Sequence, residues 1–353
     1  MMSQSQHEIT DQTASHLTHT APHTPIQLRT SIVLVNLGTP SHPTYFATMR
    51  FLRSFLSDPR VVNISKWLWY PILYGFILPF RSYSSKCKYQ KIHDEHGMPL
   101  MYFSERLLNK VKQSVESSNP NTKVYLAMRY GDRSIEETLK QIKHLAHQQL
   151  IILPLFPQYS ATTTASIFDE VAKQLRAWNF LPHYTFIRDY CNRDDYIGAL
   201  AHSIQRHWDQ YGRGEKLLLT YHGLPEANHA DGDPYACYCR KTTRLIVERL
   251  GLSNEAYMTV FQSRFGPSQW LKPYTEDRII ELAKNGVKTL DVIAPSFSVD
   301  CLETIDEITR EYQEIFVAHG GKKLSYIPAL NDNPDAVQLM CRIIQSHLIN
   351  VRR

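Results

Sequence analysis

His222 stands directly after the apolar run 216–221 and directly before Gly223-Leu224-Pro225, a turn that would hold an imidazole at the end of a strand. A neutral imidazole titrates near ambient pH and is well matched to accepting a proton from a substrate. At a strand end it is equally a hydrogen-bonded structural group. A second feature lies further along, where Asp300, Glu303, Glu307 and Glu311 recur three or four residues apart at the head of a helical pattern. That spacing stacks carboxylates on one helix face and costs about 0.2–0.5 kcal/mol per like-charged pair. Nothing else in the row offsets the repulsion. The row therefore reads either as a solvated face or as hard oxygen donors leading a divalent first-row ion such as Fe2+ toward the imidazole. The spacing alone leaves both readings open.

Such residues need a scaffold that brings them together. Short apolar runs rich in branched residues recur at 31–37, 123–128, 150–155, 184–187, 216–221, 256–261, 289–294 and 323–326. They alternate with helical patterns, the mark of α/β units, and predict two parallel sheets of four strands each. In such sheets the ligand crevice lies beyond the carboxyl ends of the strands. The residues found there include Asn36-Leu37-Gly38-Thr39-Pro40, Arg129-Tyr130-Gly131, His222-Gly223-Leu224-Pro225, Gln262-Ser263-Arg264 and Pro295-Ser296-Phe297-Ser298-Val299-Asp300. No GxGxxG follows the first strand, no P-loop is present, and Gly212-Arg213-Gly214 precedes a strand, so a nucleotide cofactor has little support.

Composition narrows the classes further. With 43% hydrophobic and 21% charged residues over 353 positions, the chain reads as a folded protein of two lobes. The net charge of +5 is spread out, except for a basic cluster from Arg81 to Lys91. That cluster suits an anionic small molecule, and no nucleic-acid partner is expected. Six cysteines, at 87, 191, 237, 239, 301 and 341, include no CxxC pair and follow no secretory signal, which predicts a reducing cytoplasm. Residues 1–30 are polar and read as a disordered tail, with His7, His16, His19 and His23 irregularly spaced along it. The most apolar stretch, from Trp67 to Phe80, is 14 residues long and is broken by Pro71, Gly75 and Pro79. It falls short of the ~20 apolar residues that span a bilayer and cannot make one regular helix. It reads as core or, beside the basic cluster, as a weak membrane-surface contact through Leu73, Ile77 and Leu78.

Taken in order, "LVNLGTP" at 34–40, "YHGLP" at 221–225, "GDPY" at 232–235, "FQSRFGPSQWLKPYTED" at 261–277 and "SVDCLETIDEI" at 298–308 resemble the ferrochelatase family. The resemblance spans about residues 31–350 and implies an enzyme that inserts Fe2+ into protoporphyrin IX, giving protohaem at the last step of haem synthesis. The implied fold is α/β, with two similar Rossmann-like lobes, four-stranded parallel sheets flanked by helices and a porphyrin cleft between them. Residues 31–155 plus 327–353 would form the first lobe with the porphyrin lip, and 156–326 the second. The C-terminal helix, near 334–350, would pack back on the first lobe.

By the same resemblance, His222 and Glu303 face each other across the macrocycle as the catalytic, metal-contacting pair. Asp300, Glu307 and Glu311 line the metal path, and Arg129, Tyr130, Ser263, Trp270 and Arg81 surround the porphyrin. Fe2+ and protoporphyrin IX are then substrates, and no cofactor is tightly bound. An iron-sulfur cluster is not expected, because it needs four thiolates and the last ten residues hold no cysteine. Two positions depart from relatives: Cys301, where some members have histidine, and Met98, where many have serine. Rival readings are a chelatase for coproporphyrin or a cobalt-corrinoid precursor, and a non-catalytic porphyrin or haem carrier, which would lack the acidic route.

Overall fold

The computed structural model describes residues 26–351 apart from 146, 265 and 267. Its strands are β1 (Ile26–Gln27), β2 (Thr30–Asn36), β3 (Thr122–Met128), β4 (Gln149–Pro154), β5 (His183–Phe186), β6 (Lys216–His222), β7 (Tyr257–Gln262), β8 (Thr289–Ile293), β9 (Lys323–Ile327) and β10 (Asn350–Val351). Two four-stranded sheets, ordered β3-β2-β4-β5 and β7-β6-β8-β9, are parallel throughout. Every residue of β2 and of β4 is buried, as expected where helices cover both faces of a parallel sheet.

Side chains alternate across each sheet. Ile32 and Leu34 of β2 enter the largest core cluster, while Val33 and Val35 pack with Leu139, Ile142 and Ile167 on the outer face. In the second sheet Leu217 and Leu219 point into the largest cluster, and Leu218 packs outward with Ile279, Ile308 and Phe316. Helices Pro99–Ser118, Asp194–Tyr211, Tyr235–Leu250 and Pro334–His347 all contribute to that cluster, so a shared layer of helices joins the lobes.

The C-terminal helix is capped by the Asn333 side chain, which accepts the Ala336 N–H at 2.8 Å. Just before it, the Asp332 carboxylate pairs with Arg106 and Lys110 of helix Pro99–Ser118, and Asp335 reaches Arg206 of helix Asp194–Tyr211. The helix is therefore tied to both lobes, not to the first alone. The first sheet runs on to Phe186, because β5 pairs with β4, so a boundary after residue 155 cuts through it. The expected tail lies outside the described residues up to residue 25. Its last five residues depart from the expectation, since β1 pairs antiparallel with β10 and Thr30 already belongs to β2.

The apolar segment forms helix Lys66–Ile72, a π-helical turn Leu73–Ile77 and helix Leu78–Ile92, with Pro71 inside the first and Pro79 at the start of the last. Leu73 and Leu78 are core, packed with Phe51, Leu52 and Leu56 of helix Tyr45–Leu56, and Ile77 packs against the same cluster. These three residues are thus not the exposed side expected from the sequence. Trp67 (91% exposed), Phe80 (75%), Leu68 and Phe76 are.

Candidate active site

β6 carries a buried run from Leu217 to Tyr221 and delivers His222, half-buried, at its carboxyl end. The His222 ring nitrogen Nδ1 lies 2.7 Å from the Gly223 carbonyl oxygen. A carbonyl only accepts, so Nδ1 donates, and in the neutral ring Nε2 keeps its lone pair. The main-chain N–H of His222 donates to Ser296 Oγ at 3.4 Å, and the Phe297 ring lies 6.3 Å from the imidazole. Position 223 must be glycine, because a Cβ there would meet the Gln262 carbonyl oxygen at 2.7 Å and the Trp270 ring at 3.2 Å.

Gln262 ends β7 opposite His222 in the parallel register. Its carbonyl accepts the Gly223 N–H at 2.7 Å, and its Nε2 donates to the Glu303 carbonyl at 3.0 Å. Glu303 begins a π-helix, Glu303–Tyr312, a wider coil than the α-helix implied by the spacing and one often found at functional sites. Two residues of helix Leu78–Ile92, Tyr89 and Arg81, and the neighbouring Cys301 feel its carboxylate. Burial pushes the Tyr89 hydroxyl well above its ordinary pKa, with Glu303 and Cys301 adding to the effect, while a hydrogen bond with Thr39 opposes it. Burial lowers the pKa of Arg81, and Tyr89 and Glu303 counter the loss. The buried Cys301 thiol is pushed well up by burial and by Glu303, with which it shares a hydrogen bond. Tyr89, Ile92 and Met98 also pack on Leu302 and Ile305, so helix Leu78–Ile92 lies along the head of the π-helix.

The other carboxylates of the row are engaged by the protein itself. Glu307 accepts from Ser263 N–H (2.9 Å), Ser263 Oγ (2.5 Å) and Tyr312 Oη (2.6 Å). Glu311 pairs with Lys88 of helix Leu78–Ile92 at 2.9 Å and with Arg310 at 3.0 Å. Asp300 is buried and turns away from the row, accepting from Tyr326, Thr304, Asn331 and the Ala329 N–H. The repulsion that seemed unopposed is thus offset by Arg310 and Lys88.

The residues assigned around the porphyrin separate into two groups. Trp270 lies beside Gly223 and bridges to Pro225, close to His222, and its Nε1 is buried without a partner among the described residues. Ser263, held in the left-handed region at φ 64°, serves Glu307, and Arg81 lies on the helix that faces Glu303. Arg129 and Tyr130 do not join them. Arg129 donates to Asp58 at 2.6 Å and to Ser166, while the Tyr130 hydroxyl, 2.8 Å from Asp58, is sealed in the core formed with Phe51. Burial opposes ionisation of Asp58, but hydrogen bonds from Ser166, Tyr130 and the Arg60 amide, with the Arg129 charge, outweigh it and hold the carboxyl below its ordinary pKa. The family resemblance gives Arg129 and Tyr130 a place around the porphyrin, whereas in the structure both side chains are engaged by Asp58 and Ser166. Gln262, Tyr89 and Lys88 carried no assigned role in the sequence, although the strand-end position of Gln262 pointed to it.

Among the described residues no three His, Cys, Asp or Glu side chains converge as a metal cage. What the ends of β6 and β7 and the head of the π-helix bring together is an imidazole whose Nδ1 is held by the Gly223 carbonyl, the Glu303 turn and the Trp270 ring. That set can take up protons and offer weak oxygen ligation.

The sequence profile described as "Ferrochelatase" matches residues 29–348. Ferrochelatase 2 of Shewanella oneidensis is 46% identical over 320 residues, covering 91% of this chain and 98% of that one. The ferrochelatase of Vibrio cholerae is 45% identical over 314 residues, covering 89% and 97%. Among solved structures, SirB from Bacillus subtilis with Fe3+ superposes with a TM-score of 0.52 at 10% identity, over 90% of this chain and 95% of that one. CbiX, described as the terminal enzyme for biosynthesis of siroheme in denitrifying bacteria, gives 0.50 at 12% identity, over 90% and 100%. These two structures establish a shared fold.

Proposed function

The chain belongs to the ferrochelatase family, and from that premise we propose that it inserts Fe2+ into protoporphyrin IX, with His222 and Glu303 at the reacting nitrogens. The observation that carries the assignment of His222 is the bond from Nδ1 to the Gly223 carbonyl, which leaves Nε2 as a proton acceptor. A free-base porphyrin holds two N–H protons. As Fe2+ binds the four pyrrole nitrogens both protons leave, His222 taking one and Glu303 relaying the other outward. Neither residue changes oxidation state. A site poor in strong ligands suits this chemistry, since the ion must be surrendered to the macrocycle. Anaerobic mixing of the protein with Fe2+ and protoporphyrin IX or coproporphyrin III, followed by porphyrin fluorescence, tests the reading. Fluorescence is lost with protoporphyrin in the wild type and retained in His222→Ala.

An apolar approach favours protoporphyrin, with its two propionates, over four-propionate coproporphyrin. Trp67, Leu68, Phe76 and Phe80 are exposed on the same segment, with Lys66 and Lys86 close in sequence, and this supports a weak peripheral contact of a cytoplasmic protein with an anionic membrane surface. Arg81 and Lys88 of the basic cluster instead serve the cleft. No described helix is long and apolar enough to cross a membrane. We hold that no iron-sulfur cluster is bound. Cys237 is exposed and Cys239 buried on the same helix, and burial pushes the Cys191 thiol up to about 11, away from thiolate ligation.

A further inference from the structure

Gln262 is a polar side chain at 2% exposure whose every hydrogen-bonding end is directed. Its Oε1 lies 3.0 Å from the Thr220 hydroxyl, which is itself 2.9 Å from the Thr275 hydroxyl. Oε1 can only accept, so Thr220 donates to it and takes its own bond from Thr275. This chain of hydroxyls fixes the amide, and Nε2 must then face the acidic helix, 3.0 Å from the Glu303 carbonyl and 3.4 Å from Glu307 Oε2. The main-chain carbonyl of the same residue holds the Gly223 N–H, one position beyond His222.

We propose that Gln262 is a positioning residue for metal insertion, setting the distance and angle between the His222 turn and the Glu303 turn. The inference rests on the roles given above to His222 and Glu303. A flat macrocycle about to receive an ion between two groups requires their separation to be held closely, and a 1 Å misplacement costs about 100-fold in rate. The two turns come from different strands and are otherwise joined by sheet pairing below them and by the 3.4 Å bond from the His222 N–H to Ser296 Oγ. Gln262 spans the gap with one rigid amide.

Gln262→Glu keeps the shape and the bond from Thr220 but sets an oxygen against the Glu303 carbonyl. Gln262→Met keeps the volume and loses all three side-chain bonds. Rates are measured at a temperature where circular dichroism shows each variant folded, with kcat and the protoporphyrin KM resolved separately. The expected result is a kcat lowered about 10–100-fold with KM within threefold of wild type, and a smaller loss in Thr220→Val, which frees the amide to turn. A kcat within twofold of wild type in Gln262→Glu overturns the proposal. So does a loss spread equally over kcat, KM and melting temperature, the pattern of a merely structural residue. Should Gln262→Met fail to fold, Gln262→Glu decides. Full activity in the Gln262 variants beside an inactive His222→Ala refutes this inference alone, whereas a wild type that inserts no iron refutes the underlying function.

Discussion

Replacing Arg129 by methionine separates a role in the fold from a role at the substrate. Arg129 Nη2 lies 2.6 Å from Asp58 Oδ2, whose side chain is 4% exposed, and Nε donates to Ser166 Oγ at 2.7 Å. Methionine fills much of the volume but leaves a buried carboxylate without its cation. Breaking a buried pair by removing one partner costs about 3–5 kcal/mol. Ser166, Tyr130 and the Arg60 amide still hold Asp58, so the low end, about 3 kcal/mol, applies. For a chain of this length unfolding as one unit, that lowers Tm by roughly 4–5 °C. Differential scanning calorimetry reads the shift, and initial rates give the protoporphyrin KM, expected within twofold of wild type. Adding Asp58→Asn should cost less than the sum of the single changes, because the two residues share one interaction. An unchanged Tm with a tenfold higher KM would show that Arg129 touches porphyrin and that the reasoning is wrong.

His222→Ala is expected to lower kcat by about 10²–10⁴-fold while porphyrin binding, read by fluorescence quenching, stays near wild type. Glu303→Gln should also abolish most turnover. Glu307→Gln should act mainly on stability, by about 2 kcal/mol in urea melts, because its new N–H group would face the Ser263 and Tyr312 donors. Lys88→Met strips Glu311 of its partner from helix Leu78–Ile92 and should lower the KM for Fe2+ about two- to fivefold at low ionic strength, the worth of a partly exposed ion pair. Replacing Trp67, Phe76 and Phe80 together by serine should cut binding to anionic liposomes about tenfold or more with circular dichroism unchanged, whereas serine at Leu73 and Leu78 should unfold the segment. Asp58, Asp195 and Asp332 are all held below the ordinary carboxyl pKa, so their stabilisation is complete above the unfolded value of about 3.9 and disappears as pH falls through the folded values. Melts from pH 6 down to pH 3 should show Tm falling only at the acid end.

The amino-acid sequence by itself determined the strands. Each observed strand of the two large sheets starts and stops within about a residue of an apolar run, because the strands of a helix-covered parallel sheet are mostly apolar, even the partly exposed edge strand β5. It also placed His222 at a strand end and Glu303 at a helix head, since residue type and position along an element are local properties of the chain. Only the tertiary structure decided what each polar group meets. The partners of Arg129 and Tyr130 come from the 58 turn and from Ser166, and Glu311 is met by Lys88 of the opposite lobe. Spacing along one segment carries no information about a cation or carboxylate brought in from so far away. The same holds for the apolar segment, where composition is uniform and docking on helix Tyr45–Leu56 alone selects Leu73 and Leu78 as core and leaves Trp67 and Phe80 in solvent. Burial and pairing are properties of the assembled layers, since the free energy of a polar or apolar side chain depends on what surrounds it in space.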